Sequence, residues 1–201
     1  MKRLLSIIVC FVFALQMHAQ DVDLLNRIKT INGQIKSVEA DLVNTYIKSK
    51  KTIILEGKLY YVAPKDFAAL FVPDNYMIVN TSHIKTNIGM FSGTFRLRDG
   101  GMLQSLSNTF LYGFQGRLQQ LADENNYSLT TKTEGDYYIV TGTIKKKKLI
   151  GIGFKQVIFK YHIDSLLLKE IILCDYKGNR DIYTVSNIKY DVPVDPNTFV
   201  F

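Results

Sequence analysis

The sequence predicts an α+β fold that is mainly antiparallel β: one curled sheet of about eleven strands with two or three helices over its concave face. Three observations carry this. Apolar and polar residues alternate with a period of two through most of the 201 residues, as strands that bury one face require. No helical segment falls between successive strands, which favours antiparallel pairing over parallel βαβ units. One helical stretch does interrupt the strands mid-chain, where it can cover the hollow of a sheet large enough to curl.

Residues 1–19 are set apart from this fold. Lys2 and Arg3 precede an apolar run from Leu4 to Leu15, and Met17-His18-Ala19 follows as a cleavage site, the pattern of a signal peptide and too short for a permanent membrane span. A single domain over residues 20–201 is expected, exported across a membrane with its signal peptide cleaved. Cys10 leaves with the signal and only Cys174 stays, so no intrachain disulfide can form. Without Lys2 and Arg3 the net charge of +7 falls to about +5, which suits anionic surfaces or acidic partners; nucleic acid is not expected as a partner after export.

The first element is a helix from Val22 to Ile31, where Val22, Leu25, Ile28 and Ile31 recur every third residue and Asn32-Gly33 ends the run. The period then becomes two. Val38, Ala40, Leu42 and Tyr46 mark a strand, Lys48–Thr52 a turn, and Ile54–Val62 the next strand, closed by Pro64. Short strands follow over Phe67–Val72, Tyr76–Asn80, Ile84–Met90 and Phe91–Arg98, in the manner of a meander. After Asp99-Gly100-Gly101, Leu103, Leu106 and Phe110 are spaced as on a helix, and so are Phe114, Leu118, Leu121 and Ala122. The break between these pieces is expected at Tyr112-Gly113. Strands return over Tyr127–Thr133, Tyr137–Ile144, Phe154–Ile163, Leu166–Asp175 and Ile182–Tyr190, with a short last strand at Phe199-Val200-Phe201. Glu134-Gly135-Asp136 and Lys177-Gly178-Asn179 read as hairpin turns.

Chemically the chain is sparse. His83 and His162 with one cysteine make no zinc-ligand spacing, so no metal or cofactor is expected. There is no nucleophile elbow, and Gly151-Ile152-Gly153 precedes a strand rather than the helix of a dinucleotide fingerprint. Lys145–Lys148 is a solvated hairpin tip or a docking patch for anionic groups. Against this poverty, 47% of the residues are hydrophobic and 12% are Phe or Tyr, enough to line a greasy hollow beneath a helical lid. The chain is not expected to be an enzyme.

The run Leu55-Glu56-Gly57-Lys58-Leu59-Tyr60-Tyr61-Val62-Ala63-Pro64-Lys65-Asp66-Phe67, followed by Tyr76-Met77-Ile78-Val79-Asn80, resembles the glycine, aromatic and proline pattern of the LolA-like periplasmic lipoprotein carriers. Leu168–Asn179 and the closing Ile188–Phe201 extend the resemblance over nearly the whole mature chain. It implies a half-open barrel of about eleven antiparallel strands whose apolar hollow shelters the acyl chains of lipoproteins, or of another lipidated cargo, on the way to the outer membrane. It further implies an inner-membrane donor and an outer-membrane acceptor as protein partners, no cofactor, and a monomer. The cavity and lid would comprise Leu42, Tyr46, Leu59, Tyr61, Phe67, Ala69 and Phe71 from strands, with Leu25, Ile28, Leu103, Leu106 and Phe110 from helices. An alternative use of the same fold is a periplasmic sensor or scaffold that binds an envelope protein and transports nothing. Ala63 stands where the family commonly has an arginine that fastens the lid, Asn80-Thr81-Ser82-His83 replaces its Asp-Gly turn, and tryptophan is absent. Unless another polar residue substitutes for the arginine, the lid is expected to close by apolar contact alone.

Overall fold

The computed structural model describes residues 21–49, 51–80, 83–88, 91–97, 102–145 and 154–200. Helix α1 (residues 21–32) buries Leu24 and Ile28, one turn apart, and ends where expected. The buried Asn32 amide donates to the Ile28 carbonyl at 2.9 Å and to the Leu166 carbonyl at 2.7 Å, tying the helix end to a distant loop.

A meander follows: β1 (Ser37–Lys48), β2 (Lys51–Val62), β3 (Asp66–Phe71), β4 (Asn75–Val79), β5 (His83–Ile88) and β6 (Phe91–Arg96). The first hairpin is tighter than the sequence suggests: Lys48 pairs with Lys51, and Ser49 turns the chain with φ 52°. Thr52 therefore belongs to a strand rather than to a turn. Next come α2 (Met102–Gln115) and α3 (Leu118–Asn125), then β7 (Tyr127–Glu134), β8 (Tyr137–Ile144), β9 (Gln156–His162), β10 (Leu168–Cys174) and β11 (Arg180–Tyr190). All neighbours are antiparallel, in the order β6-β5-β4-β3-β2-β1-β11-β10-β9-β8-β7. The sheet is an open, curled half-barrel with β6 and β7 at its edges, and α2 and α3 connect those edges in sequence.

The alternation that signals strands is visible in burial. On β9, Val157, Phe159 and Tyr161 are buried and their neighbours are not. On β3, Phe67, Ala69 and Phe71 join the large core on the concave side. Ala68, on the opposite face, packs with Ile78 and Phe199. Phe199 reaches it from a single 3₁₀ turn (Pro196–Phe199) rather than from a strand: Pro196 fixes the first φ, and the Asp195 carboxylate accepts from the Asn197 amide at 2.9 Å. Phe201 lies outside the described residues, as do Lys146–Lys148 and Gly151–Gly153.

The helix break is displaced from the predicted Tyr112-Gly113 to Gly116, for two local reasons. A Cβ on Gly113 would lie 2.9 Å from Phe159 Cε1 and 3.2 Å from Ile171 Cδ1, so this glycine lets α2 approach the sheet and stays helical. Gly116, at φ 66°, takes the left-handed position that ends the helix, with Gly116 N–H donating to the Gly113 carbonyl and Arg117 N–H to the Tyr112 carbonyl.

Candidate functional site

The concave face and α2 form one apolar interior. Phe110 stacks on Phe67 with ring centroids 5.1 Å apart and meets the ring of Tyr183 edge-on at 4.8 Å; Phe114 stacks on Tyr61 at 5.8 Å. Of the residues expected to line a cavity, Ile28, Leu42, Leu59, Tyr61, Phe67, Ala69, Phe71 and Phe110 are all buried in this cluster. Leu25 and Leu106 are partly buried against it. Tyr46 is half-buried and outside it. The Leu103 side chain lies outside the described residues.

The interior is filled, not hollow. Between α2 and the sheet a space of about 10 Å³ remains, lined by Leu42, Leu59, Phe110 and Tyr183 among others, no more than one water would need. Phe110 and Phe114 occupy the space between the helix and the sheet. Roomier concavities lie beside the helices and are polar: a cleft of about 500 Å³ between α2, α3 and the ends of β3, β4 and β6, and one of about 600 Å³ between α1 and the β7–β8 hairpin.

Helix α2 is fastened to the sheet by polar bonds at its C-terminal end. The buried Tyr161 hydroxyl donates to the Gly113 carbonyl at 2.7 Å. Gln115 Nε2 donates to the Pro64 carbonyl at 2.6 Å and to the Tyr61 hydroxyl at 3.2 Å, and its Oε1 accepts from Arg117 at 3.1 Å. Burial pushes the Tyr61 and Tyr161 phenols above their ordinary range, so both remain neutral and able to donate. A polar side chain, Gln115, thus fastens the helix to the turn that follows Ala63, so the helix is not held by apolar contact alone. It reaches from the helix to the turn. The fastening was invisible in the sequence as a pair, but Gln104, Ser107, Asn108, Leu111 and Gln115 fall at helical spacing and draw a mixed stripe beside the apolar one.

A second polar cluster sits under the Tyr183 end of the core. Asn44 Nδ2 donates to Asp181 at 2.5 Å and the Tyr183 hydroxyl donates to the same carboxylate at 2.8 Å. Burial raises the Asp181 carboxyl above its ordinary 3.8, and these two bonds oppose the rise. An acid with a raised folded-state value holds its proton more tightly folded than unfolded. Its contribution to stability is therefore full below about pH 3.8 and is lost as the pH climbs through the folded value. Asp181→Asn is expected to flatten that limb and to be at least as stable as the parent at pH 7, as urea midpoints at pH 3.5 and 7 would show; a parallel shift at both pH values would contradict it.

No family model matches the chain, and no curated protein matches its sequence. Solved structures match its fold. MucB is 15% identical with a TM-score of 0.52; the match covers 90% of this chain, which spans 62% of MucB. An uncharacterized conserved protein from Thermus thermophilus is 9% identical with a TM-score of 0.50, over 90% of this chain and 92% of that one. A LolA superfamily protein from Nitrosomonas europaea is 9% identical over 89% and 96%, at a TM-score of 0.44. At these identities the likeness is one of fold, shared with MucB and the Thermus thermophilus protein: an open antiparallel half-barrel with helices laid across its concave face.

Proposed function

We propose that the protein is a periplasmic carrier that shelters the acyl chains of lipoproteins, or another lipidated or apolar cargo, against the concave face of its sheet and performs no chemistry on them. In this reading residues 1–19 are a cleaved signal peptide and residues 20–201 form the carrier domain. The observation that supports it is the way α2 is attached. The helix fills the hollow with Phe110, Leu111 and Phe114 but takes no part in the β-ladder, so it can leave without breaking sheet hydrogen bonds.

Exposing those three side chains costs about 1.5–3 kcal/mol each and releasing the polar bonds of Tyr161 and Gln115 about 2–3 kcal/mol more, whereas burying an acyl chain of about a dozen methylenes gains on the order of 10 kcal/mol at about 0.8 kcal/mol per CH₂. The two sides are of comparable size, so one or two chains offset displacement of the helix. This also reassigns Phe110, which is 1% exposed: a charge there is expected to unfold the protein. Leu106, partly buried, is the better probe. Leu106→Glu should weaken binding of a fluorescent acyl probe about tenfold while circular dichroism keeps its strand signal, and unfolding by this variant would make Leu106 ordinary core.

A second reading, a scaffold that binds an envelope protein, is favoured by the filled interior. MucB, whose fold the chain shares, has been solved in complex with MucA(peri). Native mass spectrometry of protein purified from its own envelope separates the two. A co-purifying acyl species supports the carrier; an empty chain held by a protein partner supports the scaffold.

A further inference from the structure

Among the described residues, the Ser107 hydroxyl is the buried side-chain group that makes no hydrogen bond, although Ser107 is 1% exposed. Leaving a buried hydroxyl unmet is costly, and alanine would fill the same position on a helix at no such cost. Ser107 lines the 500 Å³ cleft beside α2, together with Gln104, Asn108, Lys65, Arg117 and Glu124. A cleft of this size holds a small ligand.

Its unspent charge is positive. Lys65 is exposed, and neither it nor Arg117 forms an ion pair among the described residues. The Arg117 guanidinium donates to the neutral carbonyls of Gln115 and Gln120 and lies 5.1 Å above the centre of the Tyr112 ring. The carboxylate on the wall, Glu124, is already met by three donors: Gln120 Nε2 at 2.8 Å, the Tyr112 hydroxyl at 3.0 Å and Asn108 Nδ2 at 3.3 Å. A donor-rich cleft with two unpaired cations and one unmet hydroxyl fits a tetrahedral oxyanion.

We propose that this cleft is a binding site for a phosphate group, with Lys65 and Arg117 supplying charge and the Ser107 hydroxyl donating to a phosphate oxygen. The group could arrive as free phosphate or as the headgroup of a lipid whose chains lie elsewhere; the site stands whether or not the interior carries acyl chains.

Titration of the full chain with inorganic phosphate, with dihexanoyl phosphatidylglycerol below its micelle concentration, and with uncharged dihexanoylglycerol tests it, read by amide shifts along α2 and by calorimetry. Binding of phosphate alone, or of the phospholipid more tightly than the uncharged lipid, is expected, and Ser107→Ala and Lys65→Gln should each weaken it about tenfold. The first result names free phosphate as the ligand, the second a headgroup. Ser107→Ala should melt no lower than the parent, and Lys65→Gln changes only an exposed turn, so loss of binding is separable from loss of fold. No binding of either phosphate compound overturns the site, as does binding that neither substitution weakens.

Discussion

Gly116→Ala is expected to lower the stability of this protein by about 2–6 kcal/mol. Two costs add. The residue sits at φ 66°, which an L side chain enters at about 1–3 kcal/mol, and its new Cβ would lie 2.6 Å from the Ile28 carbonyl oxygen and 2.9 Å from Lys29 Cα. Those neighbours are backbone of α1, held by the bonds of Asn32, so they cannot swing aside as a side-chain tip would. Overpacking of this kind costs about 1–3 kcal/mol. Gly135 and Gly178 separate the two costs: both have positive φ, 56° and 84°, and a Cβ on either meets nothing within 4 Å. Gly135→Ala and Gly178→Ala should therefore lose only about 1 kcal/mol each. Urea unfolding of the three variants decides. If Gly116→Ala falls no further than the two hairpin variants, α1 does not pack against the end of α2 as described.

The second large effect concerns the fastening of α2. Tyr161→Phe removes the hydroxyl that reaches the Gly113 carbonyl, and Gln115→Met removes the donor to Pro64 and Tyr61 while keeping the length of the side chain. Each loss is worth about 1–1.5 kcal/mol. Together they should favour the displaced helix by about 2–3 kcal/mol, on the order of a hundredfold at tenfold per 1.4 kcal/mol. The double variant is expected to bind an environment-sensitive apolar dye strongly without cargo, whereas the parent, with its hollow filled, binds it weakly. Because Gln115 already occupies the Pro64 carbonyl, Ala63→Arg should change dye binding little. Equal dye binding by the parent and a folded double variant would show that apolar packing alone holds the helix.

Strand positions were legible because one-sided burial writes itself into the chain at period two: Val157, Phe159 and Tyr161 on β9 alternate with polar or half-exposed neighbours, and even the inserted helices announced themselves through Leu106 and Phe110. Gly116 against Gly113 was not legible, since the choice depends on how closely Phe159 and Ile171 approach from strands far along the sequence. The same holds for the filled interior. The strand residues named for a cavity, Tyr46 excepted, do gather on one concave face, yet whether facing side chains enclose space or consume it is a matter of fit, and Phe110 and Phe114 consume it. Gln115 belongs to a mixed stripe that shows its helix face but not its partner; its meaning comes from the Pro64 carbonyl opposite.

The two halves of the sheet are joined at β1 and β11, where Asn187 reaches Asp41 across 146 positions of sequence. β1 is thus a central strand whose second neighbour is made last. A chain emerging from its amino end can assemble the meander from β1 to β6 and still present the bare outer edge of β1, twelve residues long, until β11 arrives. Such an edge is a template for pairing with other chains, and contacts this distant in sequence form slowly. Newly made protein is therefore most vulnerable to aggregation through β1, and truncation within β11 should leave a sticky half-sheet, not a smaller stable domain.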